Sequence, residues 1–155
     1  MKGKKIFMFC PPEGPVPVAG NEKRAAMSIV KQISSIIGKG KIISLWVSDK
    51  VVATEAGRSM KTILIENLKV DGYKYDNKFY ADVVNRPEFD WLIEEFNNFH
   101  GENIIIIANS EYIVCFAEKM NFVMECHLDG RFGPGPLEGL FINNGVFSDF
   151  SFRKE

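Results

Sequence analysis

The chain has 155 residues, of which 46% are hydrophobic, 12% aromatic and 25% charged, a composition long and apolar enough for one sizeable core and one domain spanning residues 1–155. Nineteen Lys and Arg against twenty Asp and Glu give a formal net charge of -1, which excludes the positive field that drives nucleic-acid or anionic-membrane binding. The longest apolar runs, such as Ile104 to Ile107, fall far below the ~20 residues of a membrane span, and the basic start Met1 to Lys5 leads into a short strand, not a signal-peptide core. A cytoplasmic protein without membrane or nucleic-acid partners is expected.

In chain order, Ile6 to Cys10 is a continuous apolar run ended by Pro11 and Pro12, the pattern of a strand buried on both faces of a parallel sheet. A stiff loop, Glu13 to Pro17, follows. From Glu22 the apolar residues Ala25, Ala26, Ile29, Val30, Ile33, Ile36 and Ile37 form a helical stripe, with Asn21 as N-cap and Gly38 as stop. Ile42 to Val47 predicts a second central strand, and Thr54 to Leu68 a second helix. Lys69 to Tyr80 alternates weakly and reads as a short edge strand. Asn85-Arg86-Pro87 opens a third helix whose buried face is Phe89, Leu92, Ile93, Phe96 and Phe99. Ile104 to Ile107 is the strongest strand signal, followed by a helix over 110–120 and by two closing strands around Leu140 and Phe147. Strands alternating with helices predict a three-layer α/β/α sandwich with a mostly parallel central sheet.

In such a sheet ligands bind outside the carboxyl ends of the strands, here residues 10–13, 48–50 and 108–111. None is a phosphate or dinucleotide loop: GxGxxG and GxxxxGK[ST] are absent, and Pro11 and Pro12 remove two backbone donors where such a loop needs them. No GxSxG elbow is present. Cys10, Cys115 and Cys126 are odd in number, include no CxxC pair and read as small buried hydrophobes in a reducing compartment. His100 and His127 stand far apart without neighbouring ligands, so no metal site and no cofactor are expected.

The order of elements resembles the histidine phosphatase superfamily, also called phosphoglycerate mutase-like, and within it the compact phosphohistidine phosphatases. That family's first strand ends in Arg-His-Gly-Glu, which is similar in position to Cys10-Pro11-Pro12-Glu13. Its Ser-Pro-x-x-Arg-Ala-x-x-Thr-Ala helix start looks like Ser48-Asp49-Lys50-Val51-Val52-Ala53-Thr54-Glu55-Ala56-Gly57. A Leu-Tyr pair before its third helix is echoed by Phe79-Tyr80, and its second histidine, after a late apolar strand, by Asn109 ahead of Ser110 and Glu111. The likeness spans nearly the whole chain in layout. Carried over position by position, it puts the first Arg on Cys10, the nucleophilic His on Pro11, the second Arg on Val52 and the second His on Asn109; of the pattern, Glu13 and Ser48 remain. In that chemistry the histidine attacks phosphorus while the arginines and second histidine hold the equatorial oxygens. Losing the nucleophile from a set that acts together removes on the order of 10⁶ in rate. The resemblance therefore implies a pseudoenzyme with a vestigial pocket formed by Cys10, Pro11, Glu13, Ser48, Val52, Asn109 and Glu111, whose role is to bind a protein or small-molecule partner.

Competing readings remain open from the sequence. Cys10 is either a replacement nucleophile or a packed strand-end residue, and Glu13 with Glu111 either a carboxylate pair or solvated loop and helix-start charges. Arg58, one turn beyond Val52, either reaches the vestigial site as a ligand contact, with Tyr80, or lies on the helix surface. Asn109 either bonds a neutral ligand or caps the helix from Ser110. His100 suits the negative end of the third helix. Phe150 and Phe152 share one face of an alternating tail, so one of them is expected to be exposed or buried by a second copy, which makes a homodimer a further expectation. Two other functions compete with the pseudoenzyme: a phosphatase or phosphomutase acting through non-standard residues, and a small Rossmann-like ligand-binding domain.

Overall fold

The computed structural model describes residues 2–11, 19–74, 87–99, 101–124 and 137–152. It is an α/β fold with a six-stranded mixed sheet and five helices among those residues. In chain order the elements are β1 (Lys5–Phe9), α1 (Ala19–Ile37), β2 (Ile42–Val47), α2 (Asp49–Val52), α3 (Glu55–Asn67), β3 (Lys69–Lys74), α4 (Pro87–Asn98), β4 (Asn103–Ile107), α5 (Ser110–Lys119), β5 (Glu138–Asn143) and β6 (Val146–Ser151). The sheet order is β3-β2-β4-β1-β5-β6. β2 pairs in parallel with β3 and β4, and β4 with β1, while β5 runs antiparallel to β1 and β6 antiparallel to β5.

The apolar runs become inner strands because both of their faces are covered. Ile6, Met8, Ile104, Ile106, Leu140 and Trp46 point to one face, against Phe89, Leu92 and Phe96 of α4 and Tyr112, Ile113 and Phe116 of α5. Phe7, Phe9, Leu45, Val47, Ile105 and Ile107 point to the other, against Ala26, Ile29 and Ile33 of α1 and Met60 and Leu64 of α3. A strand with water on one side would alternate apolar with polar residues; these do not. The Trp46 ring stacks on Phe96 at 5.5 Å, and its buried indole N–H donates to Ser44 Oγ at 2.7 Å, so its one polar atom is satisfied.

Local signals set the ends of the helices. Thr54 N-caps α3: its Oγ1 accepts from Gly57 N at 3.0 Å and donates to the Val51 carbonyl at 2.8 Å, which locks the corner between α2 and α3. Gly38, at φ +103, ends α1 as expected. The last turn of α5 closes through Asn121 in the left-handed region (φ 60), with Asn121 N donating to the Glu118 carbonyl and Phe122 N to the Ala117 carbonyl, the paired bonds of a Schellman end. Asn144 and Gly145 both take positive φ (53 and 83), the geometry that matches a two-residue hairpin to the twist of β5 and β6.

The structure differs from the sequence reading at the start of α1 and adds one short helix. Asn21 lies inside α1, which begins at Ala19, because the helix extends past the apolar stripe toward the loop. The short helix α2 falls in a segment too brief for a periodic signal. Phe152 is buried, packing at 4.9 Å from Phe9 and 4.6 Å from Phe150, while Phe150 is partly buried, 5.8 Å from Phe7 and from Phe141. The core on the α1 face claims them. Among the described residues no helix is long and apolar enough to cross a membrane.

Candidate functional site

The carboxyl ends of β1, β2 and β4 are joined by hydrogen bonds that continue one step beyond the strands. Ala108 N donates to the Phe9 carbonyl at 3.1 Å and Ser48 N to the Ile107 carbonyl at 3.0 Å, so Cys10 with Pro11, Ser48, and Ala108 with Asn109 emerge side by side. β5 closes the other flank: Cys10 N donates to the Glu138 carbonyl at 3.1 Å and Leu137 N to the Cys10 carbonyl at 3.0 Å. Leu137 is held left-handed (φ 63), a conformation that costs a non-glycine residue about 1–3 kcal/mol and is maintained by the bonds on both sides of it, since Phe152 N also donates to its carbonyl.

Each sequence-derived residue can now be placed. Cys10 is 2% exposed and belongs to the apolar cluster of Met8, Ala108, Tyr112 and Leu140, which is the packed strand-end reading and not the position of an accessible thiolate nucleophile. Pro11 is buried and offers no N–H. Ser48 is fully buried and N-caps α2, its Oγ accepting from Val51 N at 3.3 Å, so its hydroxyl oxygen has a local structural task. Val52 lies in α2, at the position the resemblance gives to an arginine. Glu111 is exposed in the first turn of α5, where an acid suits the positive helix end. Arg58 is exposed in the first turns of α3. Glu13 and Tyr80 lie outside the described residues, as do His100, Cys126 and His127.

Of the two alternatives for Asn109, the helix cap holds for the backbone and not for the side chain. Asn109 occupies the N-cap of α5 with the extended backbone of a cap (φ -75, ψ 158), yet its side chain makes no capping bond, and its Oδ1 is buried without a hydrogen-bond donor. A buried acceptor left unpaired costs about 1–3 kcal/mol, which marks this amide as a group whose partner is not a protein cap.

Glu138 joins the site although nothing singled it out in the sequence. It is 6% exposed, opposes Cys10 across the β1–β5 pair, and shares with Leu140 and Ile142 the parity that faces α4 and α5. The signal available was a single acid opening an otherwise apolar strand. Together the strand ends carry a buried carboxylate and a buried amide acceptor, while Lys50 on α2 and Arg58 on α3 are exposed. Among the described residues, the positions that follow β1 and β4 (Cys10, Pro11, Ala108 and Asn109) carry neither an imidazole nor a guanidinium, and no cluster of three or more metal-binding side chains occurs.

Two cavities lined by described residues lie at the opposite, amino end of the parallel strands. One of about 790 Å³ includes Lys41, Ile42, Lys69, Glu95, Phe99 and Glu102; the other, of about 600 Å³, is bounded by the ends of α1 and α3. Comparison with protein-family models and with curated proteins finds no match to this chain.

Proposed function

We propose that this chain is a catalytically inactive histidine-phosphatase-like protein, built as a phosphoglycerate mutase-like α/β/α sandwich with a mostly parallel sheet, that acts by binding a protein or small ligand at the carboxyl ends of β1, β2 and β4. The observation that carries the reading is the adjacency of Pro11 and Asn109. They follow neighbouring parallel strands in register at Phe9 and Ile107, where the resemblance calls for a nucleophilic histidine and its partner. Proline cannot attack phosphorus, and an amide cannot exchange protons near neutral pH. The parallel run of β3, β2, β4 and β1, with helices on both faces, supports the fold half of the proposal.

The ligand chemistry follows from what the strand ends offer. An unpaired carbonyl oxygen on Asn109 and the buried acid Glu138 favour a neutral or cationic group that donates hydrogen bonds, and they disfavour phosphate, which needs several converging cations and donors. Purified protein incubated with p-nitrophenyl phosphate and with a phosphohistidine peptide is expected to show no turnover above buffer. Turnover abolished by Cys10→Ser or Glu13→Gln would overturn the proposal. In a phosphate titration followed by amide NMR, Ser48 and Asn109 are expected not to shift saturably below ~1 mM, an affinity worth about 4 kcal/mol.

A further inference from the structure

The cavity of about 600 Å³ at the amino end of the sheet is independent of the strand ends discussed above, and its charge is one-sided. Lys31 of α1, Lys39 and Lys41 of the following turn, and Lys69 at the start of β3 all line it, and among the described residues no carboxylate does. All four lysines are exposed, and none enters an ion pair among the described residues. In a chain of net charge -1 this is a local concentration of positive charge, not a reflection of overall composition.

Two helices end at this cavity, α1 at Ile37 and α3 at Asn67, and their negative dipole ends account for part of the lysine placement. The magnitudes decide how much. Each helix end is equivalent to roughly half a negative charge, so two ends offset about one of the four lysines and about three positive charges remain. The turn that presents them is built for close approach. Gly38 and Gly40 take φ +103 and +78, and the stem of Lys41 lies over Gly38, with Cγ 3.5 Å from where a β-carbon would stand. The hydroxyl-bearing Ser34 and Ser35 also line the wall.

We propose that this concavity binds a compact, multiply charged anion, a soluble oligophosphate such as the polyphosphate moiety of a nucleotide. Three observations select that class. The volume suits a small molecule. About three uncompensated charges match an oligophosphate better than a monoanion. The adjoining cavity, which shares Gly40, Lys41 and Lys69, carries Glu95 and Glu102, so an extended phosphate backbone running across the sheet end would meet acids after one cavity length.

The test is an amide-NMR titration of the full chain with inorganic tripolyphosphate, with orthophosphate as comparison. The expected result is saturable shifts at Ser34, Lys39, Gly40 and Lys41, and binding weaker by at least about tenfold for orthophosphate and for the doubly reversed Lys39→Glu/Lys69→Glu protein; tenfold corresponds to about 1.4 kcal/mol. Both lysines are exposed, so the variant is expected to keep its wild-type melting temperature, and Ser48 and Asn109 to remain unshifted. The proposal is overturned if the shifts spread equally over Lys2, Lys50 and Lys119 without saturating, or if the double variant binds tripolyphosphate as well as wild type. It is also overturned if anionic phospholipid vesicles or duplex RNA bind while tripolyphosphate does not.

Discussion

Asn109 and Thr54 each occupy the N-cap of a helix, α5 after β4 and α3 after α2, and their side chains behave differently. Thr54 Oγ1 accepts from Gly57 N, whereas Asn109 Oδ1 accepts no hydrogen bond among the described residues. Removing the two groups therefore separates a cap from a binding group. Thr54→Ala is expected to cost about 1 kcal/mol of stability in urea unfolding, whereas Asn109→Ala is expected to cost less than about 0.5 kcal/mol or to stabilise. A loss above about 1 kcal/mol for Asn109→Ala would mean that the amide has a structural partner, and the ligand reading of that position would lose its support. Glycine makes the complementary case at Gly139, where a β-carbon would stand 1.9 Å from the Met8 carbonyl oxygen and 2.7 Å from Phe9 Cα. Backbone on an inner strand cannot give way by that much. Gly139→Ala is expected to destabilise the protein by about 2–4 kcal/mol, read from the shift in urea midpoint at unchanged slope.

At the scale of elements, the corner between α2 and α3 is held by a short chain of interactions: Ser48 caps α2, Thr54 binds the Val51 carbonyl, and Gly57 packs against Val51. A β-carbon on Gly57 would meet the Val51 carbonyl oxygen at 2.1 Å. Gly57→Ala is thus expected to open this corner instead of strengthening α3, the reverse of the roughly 1 kcal/mol gain that alanine brings to an unconstrained helix interior. Far-UV circular dichroism with thermal melting checks the sign: a lower melting temperature is expected. The two sheet edges are guarded against pairing. β3 carries Lys69, Asp71 and Lys74, and β6 carries Asp149, whose Oδ1 is buried, so neither edge is a flat apolar template for a second chain.

Across the whole molecule, two apolar layers are separated by the sheet, and the end of the chain closes one of them. Phe152, 2% exposed, wedges between Phe7, Phe9 and Phe150, and Gln32 Nε2 of α1 donates to its carbonyl at 3.1 Å. Phe152→Ala is expected to cost about 3–5 kcal/mol, as for other buried phenylalanines. The mass from light scattering at micromolar concentration is expected to equal that of the wild type, because the ring packs against its own core. β4 lies between β2 and β1 with every residue of Asn103–Ile107 buried. Its amides are expected to be the slowest to exchange with deuterium, ahead of β3 and β6 at the edges.

How far the sequence reaches depends on the range of the interaction involved. The unbroken apolar runs at β1, β2 and β4, the helical stripes of α1 and α4, the helices α3 and α5 and the stop at Gly38 were legible. Burial on two faces, helical periodicity and left-handed backbone each impose a requirement on residues within a few positions of one another. The α/β class followed from their alternation. What the tertiary structure alone decided is non-local. The order β3-β2-β4-β1-β5-β6 brings Pro11 beside Asn109 across nearly one hundred residues. The antiparallel return of β5 sets Glu138 against Cys10, and the last strand buries Phe152 in the core with Phe150 packed partly buried against it. Asn109 stands between a cap and a ligand contact in the sequence, because capping is the local use of asparagine before a helix; only the folded helix end shows that the side-chain cap bond is absent. Lys31, Lys39, Lys41 and Lys69 form no motif in the sequence, since no local pattern records that two helix ends and a turn gather them around one cavity.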